Sequence, residues 1–160
     1  MITLSQSLQE YGLTDTETGS LSLDYGKRLL VNAAHVDIKK LTHQDIVEIV
    51  DYDPLKNIMM VIGLNDPMGE TPVHWIIQKA RHDVNAVLQI NSSSIFEKFQ
   101  TILPVTDNET QPGTLERAKK ILHTLQKAKT ILIKNEGIIF VGMTAKEIQS
   151  SLRNCLGGLK

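Results

Sequence analysis

Glu70 and His74 stand four residues apart, the spacing that puts two side chains on one face of a helix. A carboxylate beside an imidazole can bind a metal ion or form a hydrogen bond, and a structural role is the expectation for His74. Glu70 lies at a helix start, where the helix dipole favours an acid by roughly 0.3–1 kcal/mol when it is exposed. The other histidines offer less chemistry. His43 sits inside a helix cap, His82 in a helix-to-strand turn and His123 on a lysine-rich face, and all three read as solvated. Trp75 reads as a core or subunit-interface aromatic. The one thiol, Cys155, falls on an amphipathic C-terminal segment with no cationic surroundings to activate it. With a single cysteine no internal disulfide forms, which fits a reducing compartment.

The elements that must position these groups follow from periodicity and caps. Leu4 to Tyr11 reads as a short helix stopped at Gly12. Gly19 to Val31 reads as a hairpin, with Leu21 and Leu23 alternating with polar residues and the turn at Asp24 to Lys27. Thr42 and Asp45 have capping-box spacing. Strands are expected over 46–51 and 58–62. The next helix starts at Asp66-Pro67 or at Thr71-Pro72, with Val73, Ile76, Ile77 and Ala80 as its apolar stripe. Val84 to Ile90 is a continuous apolar strand, expected in the middle of the sheet. Ser94 and Glu97 cap a short helix. Thr114 starts a longer one with Leu115, Ala118, Ile121, Leu122 and Leu125 inward and lysines 119, 120, 127 and 129 outward. Strands over 130–134 and 138–141 follow. A last helix is capped by Thr144 and Glu147 and ended by Gly157-Gly158. The loop from Pro104 to Gly113 reads as a polar, flexible rim or subunit contact. This order of hairpins followed by alternating helices and strands predicts an α/β protein with helices on a mixed, largely antiparallel sheet.

Composition bounds the function. The 160 residues are 41% hydrophobic and 22% charged, with a net charge of -1, values ordinary for one globular domain over residues 1–160. Scattered basic residues and 4% aromatics leave no footprint for nucleic acid or an anionic membrane. Neither a signal peptide nor a spanning segment is expected, so the reading is a cytoplasmic protein.

Several segments in order resemble the class II aldolase/adducin family. Gly19-Ser-Leu-Ser22 resembles its Gly-Asn-Ile-Ser turn. Leu41-Thr-His-Gln-Asp-Ile-Val47 is similar to Leu-Thr-x-x-Asp-Ile-Val, and Pro67-Met-Gly-Glu70 stands at its Pro-Ser-Ser-Glu. Arg81-His-Asp-Val-Asn-Ala-Val87 is similar to Arg-Pro-Asp-Val-Asn-Ala-Val, and Lys134-Asn-Glu-Gly137 stands at Arg-Asn-His-Gly. The resemblance runs from about Gly12 to Leu152. It implies a three-layer α/β/α sandwich, assembled as a homo-oligomer, a tetramer in many members.

The resemblance also implies a site, and this chain departs from it. Family enzymes bind zinc through three histidines, and the metal stabilises the enediolate left when a carbon–carbon bond breaks. The matching positions here are Gln89, Asn91 and Glu136. Carboxamides do not replace imidazoles for zinc. The resemblance therefore implies no zinc, and at most a hard cation such as Mg²⁺ or Ca²⁺ on an oxygen-rich set. Glu70 stands where the family has its metal-side acid, so Glu70 and Glu136 are the catalytic candidates if any chemistry persists. The family's phosphate turns map onto Ser20, Asn32, His35 and Gly69 as substrate-binding candidates, but their serine hydroxyls are gone and Met68 is apolar. The family's C-terminal tyrosine has no counterpart before Lys160. The expectation is a non-catalytic member used for binding a small molecule or for assembly. The alternative is a divergent lyase working on a small carbonyl or sugar with Glu70 and Glu136.

Overall fold

Alternating side chains on the central strands feed two separate apolar cores, one on each face of a single seven-stranded sheet. The computed structural model describes residues 1–13 and 18–157. In chain order the elements are α1 (Ile2–Ser7) with a 3₁₀ turn (Leu8–Tyr11), β1 (Thr18–Tyr25), β2 (Arg28–Asn32), a 3₁₀ turn (His43–Asp45), β3 (Ile46–Asp53), β4 (Ile58–Ile62), α2 (Thr71–Ala80), β5 (Ala86–Asn91), α3 (Ser93–Phe99), α4 (Leu115–Leu125), β6 (Thr130–Ile133), β7 (Gly137–Gly142) and α5 (Ala145–Leu156). The strand order is β4-β3-β2-β1-β5-β7-β6.

The period of two along a strand sends successive side chains to opposite faces. On β5, Ala86, Leu88 and Ile90 join a core with α1, α3 and α5 through Leu4, Phe96 and Leu152. Val87 joins the other core, with Val73 and Ile77 of α2 and Ala118, Ile121 and Leu125 of α4. Full burial of such a side chain contributes about 1.5–3 kcal/mol, so these two cores, not the polar site, carry the fold. A third cluster packs Trp75 and Met68 over β2 and β3, where Trp75 meets Tyr52 edge-on at 6.5 Å. Trp75 is thus a core aromatic.

Several expectations need correction. Among the described residues every strand pairing is antiparallel, not mixed; the parallel element there is an isolated bridge from Val105 to Leu132. Helix α2 starts at the second candidate, but Thr71 is its first residue and not its cap. The cap position is Glu70, and the Thr71 hydroxyl donates to the Met68 carbonyl at 2.6 Å. Ala80 is exposed, while His74 and Gln78 are buried, so the buried face of α2 is wider than its apolar stripe. Leu115 is 42% exposed, because the inward face of α4 starts two residues later. The cap of α5 is Thr144 as expected, accepting from the Glu147 backbone. Its end at Gly157 is right-handed, and Gly158 lies outside the described residues. The 104–113 loop is tied along β6, where Thr106 N–H donates to Leu132 and Leu132 N–H to Pro104.

Helix α3 is capped by Ser92, whose hydroxyl accepts from the Ile95 N–H, and not by Ser94. Ser92→Ala is expected to lower stability by about 1 kcal/mol and Ser94→Ala by less, measured by urea denaturation of both variants.

One edge is left apolar. On β4 and the loops beside it, Ile58, Met60, Ile62 and Leu64 are exposed by 63%, 61%, 54% and 80%. An exposed hydrophobic edge strand is a ready pairing or docking surface. No helix among the described residues is long and apolar enough to cross a membrane.

Candidate functional site

Strand register decides what faces α2 and α4. Ser20 of β1 stands opposite Gln89 of β5, and Thr18 opposite Asn91. Since Leu21 and Leu88 point to the α1/α3/α5 core, Ser20, Ser22, Gln89 and Asn91 point the other way. The turn between β6 and β7, with Asn135 in the left-handed region at φ 59°, delivers Glu136 beside the end of β5. There the Ser92 N–H donates to the Glu136 carbonyl at 2.8 Å. Glu70 arrives from the start of α2.

These pieces enclose a cleft of about 690 Å³. Its lining includes Ser20, Asn32, His35, Gly69, Glu70, Asn91 and Glu136. All the sequence candidates except Gln89 therefore share one wall, and Gln89 is fully buried beneath it. Their chemical roles differ once partners are counted. The Asn32 carboxamide accepts from Leu21 N–H at 2.7 Å and donates to the Ala33 carbonyl at 2.9 Å, so it is engaged by the framework. Gln89 Nε2 donates to Asn91 Oδ1 at 2.8 Å, and Asn91 Nδ2 donates to Thr18 Oγ1 at 3.2 Å. His35 has φ 59° and presents its exposed ring at the rim. Lys40 pairs with Asp37 at 3.4 Å on the same rim. Met68 lines the cleft but is buried, packed in the third apolar cluster.

A residue absent from the sequence expectations organises the acids. Arg117 of α4 is fully buried. Its Nη2 lies 2.9 Å from Glu70 Oε1 and 2.5 Å from Glu136 Oε1, and its Nη1 donates to the Thr110 carbonyl at 3.0 Å. Glu70 also accepts the Gly113 N–H at 3.2 Å. Gly113 has φ 73°, and a Cβ there would run into the Gly69 carbonyl oxygen, so glycine alone allows this approach. Burial pushes the Glu70 carboxyl above the usual range. Arg117 and the Gly113 N–H pull it down in part, Glu136 pushes it up, and the Gln89 amide pulls it down. The signal for Arg117 is present in the sequence: it precedes Ile121 by four and Leu125 by eight, on the apolar stripe of α4.

Behind Ser20 runs a second polar chain. Ser20 Oγ is 3.2 Å from His74 Nε2, His74 Nδ1 is 2.8 Å from Ser22 Oγ, and Gln78 Nε2 donates to Ser22 Oγ at 2.8 Å. Glu70, His74 and Gln78 are successive i,i+4 positions of one helix face. Burial, with Arg117 nearby, lowers the His74 pKa to about 3, so the ring is neutral and structural at ordinary pH. His74 therefore bonds to the serines and not to Glu70. His43, His82 and His123 are exposed, and burial raises the Cys155 thiol, which keeps it unreactive. Among the described residues no three His, Cys, Asp or Glu side chains group as a metal site.

Comparison with known proteins agrees with this fold. The family model for the class II aldolase and adducin N-terminal domain matches residues 1–95. No curated protein sequence matches the chain. Among solved structures, an L-fuculose 1-phosphate aldolase aligns with TM-score 0.76 at 20% identity, over 98% of this chain and 81% of that one. The L-fuculose-1-phosphate aldolase from Thermus thermophilus gives 0.71 at 18% identity, over 98% and 89%. The N-terminal class II aldolase domain of a conserved protein from Thermoplasma acidophilum gives 0.72 at 16%, over 98% and 88%. At these identities the likeness carries the fold alone.

Proposed function

The chain belongs to the class II aldolase and adducin family, and on that premise we propose that it is a non-catalytic member that binds a small polar molecule in a metal-independent cleft. One observation carries the reading. Glu70 and Glu136 are paired on the buried Arg117, and the Gln89 and Asn91 amides are bonded to each other. Such a set does not fit zinc, which takes imidazole or thiolate and repels a neighbouring guanidinium. The same reading takes the chain as one domain in a three-layer α/β/α arrangement, supported by the two cores on opposite sheet faces. It takes the protein to be cytoplasmic, supported by its single cysteine in keeping with a reducing compartment. It takes the protein as a homo-oligomer, a tetramer by family resemblance, supported by the apolar β4 edge.

The ligand follows from the lining. In the cleft wall Asp37, Glu70 and Glu136 stand against Lys40, and Arg117 beneath pairs with both glutamates, which leaves one net negative charge. That balance disfavours a phosphate dianion and suits a neutral sugar or polyol whose hydroxyls donate to the acids. In a thermal-shift screen of sugars, hydroxy acids and sugar phosphates, a neutral polyol is expected to raise the melting temperature, and Glu136→Gln to abolish that rise. Zinc-dependent cleavage of any sugar phosphate would overturn the reading.

A second reading is favoured by the Glu70 carboxyl, which burial raises above the usual carboxylate range, the direction that a proton-carrying acid needs. In it Glu70 and Glu136 serve a divergent lyase acting on a small carbonyl substrate. A Glu70→Gln, Glu136→Gln double variant that retained every detected turnover would exclude it.

A further inference from the structure

We propose that Arg117 is a resident cation that takes the place of a divalent metal between Glu70 and Glu136, and that the site gains divalent-cation affinity only when this guanidinium is removed. The inference rests on the metal-independent reading above and adds the group responsible for it. A single nitrogen, Nη2, meets one oxygen of each carboxylate, at 2.9 and 2.5 Å. One positive centre shared by two carboxylates from different elements is what a bridging metal ion provides. Here that centre is tethered to α4 and cannot be exchanged or chelated. The guanidinium is fully buried and fixed from behind by the Thr110 carbonyl at 3.0 Å, so it does not swing out to admit another cation. A divalent ion on the same carboxylates would meet a like charge at close range in a poorly solvated site.

The remaining donors indicate what the site becomes without Arg117. Gln89 Oε1 is buried without a hydrogen-bond partner, and Glu70 Oε1 is held by the ion pair without a hydrogen bond. Together with Glu136 these are hard, neutral and anionic oxygens from α2, β5 and the β6–β7 turn. That set suits manganese or magnesium and not zinc.

The experiment is Mn²⁺ titration, read by electron paramagnetic resonance and by melting temperature, on chelator-stripped wild type, Arg117→Met, Arg117→Gln and Arg117→Lys. Wild type and Arg117→Lys, which keep a cation, are expected to bind no stoichiometric Mn²⁺. Arg117→Met and Arg117→Gln are expected to bind one equivalent at least tenfold more tightly than wild type, and to melt higher with it than without. If Arg117→Met folds only when Mn²⁺ is present, that also supports the proposal, and Arg117→Gln supplies the titration. Folded Met and Gln variants as blind to Mn²⁺ as wild type would overturn the proposal while leaving the metal-independent reading intact. Stoichiometric metal on wild type with Arg117 in place would overturn both.

Discussion

Arg117→Met lowers the unfolding free energy by about 3–5 kcal/mol at neutral pH in the absence of metal, the range for breaking a buried ion pair from one side. The expectation follows from what the substitution leaves behind. Methionine fills the space one helical turn from Ile121 and costs little in packing. Glu70, 7% exposed, is left with neutral donors such as the Gly113 N–H, and the Glu136 carboxylate loses the guanidinium it is bonded to. Two carboxylates then share one poorly solvated wall with no positive charge between them. Urea denaturation at pH 7 measures the loss. Adding Glu70→Gln and Glu136→Gln to Arg117→Met removes both orphaned charges, and the triple variant is expected to recover more than half of it. A triple variant as unstable as Arg117→Met would mean that the arginine acts through packing of its stem and not through charge.

The same residue explains where a reading of the sequence stops. The β1–β2 hairpin, the Thr114 and Thr144 caps and the buried strand around Leu88 are local or strictly periodic signals; both caps hold, while β1 runs on to Tyr25 and β5 starts at Ala86, each two residues past the expected boundary. The convergence of Glu70, Asn91 and Glu136 depends on register, which a one-residue slip would reverse. It is fixed by the pairing of Ser20 with Gln89, which no local pattern contains. The family resemblance supplies those positions, but it is silent on Arg117, whose partners lie 47 residues before it and 19 after it. The place of Arg117 on the apolar stripe of α4 turns it inward, but nothing local names the acids it meets. Only the two acids, brought in by other elements, make it a core residue. Ser22 and Gln78 escape notice for a related reason: each is an ordinary polar residue until His74 needs a partner on its far side. Ser94 competes with Ser92 in the sequence because both have helix-cap chemistry, and backbone geometry chooses between them.

His74 and Glu70 give stability opposite slopes with pH, and variants separate them. His74 titrates at about 3 when folded, against 6.5 for an unperturbed histidine, because burial and then Arg117 disfavour its charged form. Between those values the unfolded chain binds a proton that the folded protein refuses. Its contribution is therefore complete above pH 6.5 and is lost as pH falls, at up to about 1.4 kcal/mol per pH unit. Glu70 has the reverse sign. Burial raises its carboxyl above 4.5, so above that pH the folded protein retains a proton that the unfolded chain releases. Stability from this group falls as pH rises from 4.5 through its folded value. Wild type thus shows a flattened profile above pH 4.5, where the two terms oppose, and a steeper one below it. Glu70→Gln keeps an acceptor for Gly113 and removes the titration, so its stability rises more steeply than that of wild type between pH 4.5 and 6.5. His74→Gln keeps an amide between Ser20 and Ser22, so its stability falls less than that of wild type as pH drops from 6.5 toward 3.5. Carboxylates such as Asp83, held at about 2 by Arg81, contribute equally to all three proteins and cancel in the differences. Urea midpoints at half-unit steps from pH 3.5 to 7.5 measure them. A His74→Gln profile parallel to wild type would mean that the imidazole is charged in the fold, and the Ser20–His74–Ser22 chain would then have to carry a cation beside Arg117.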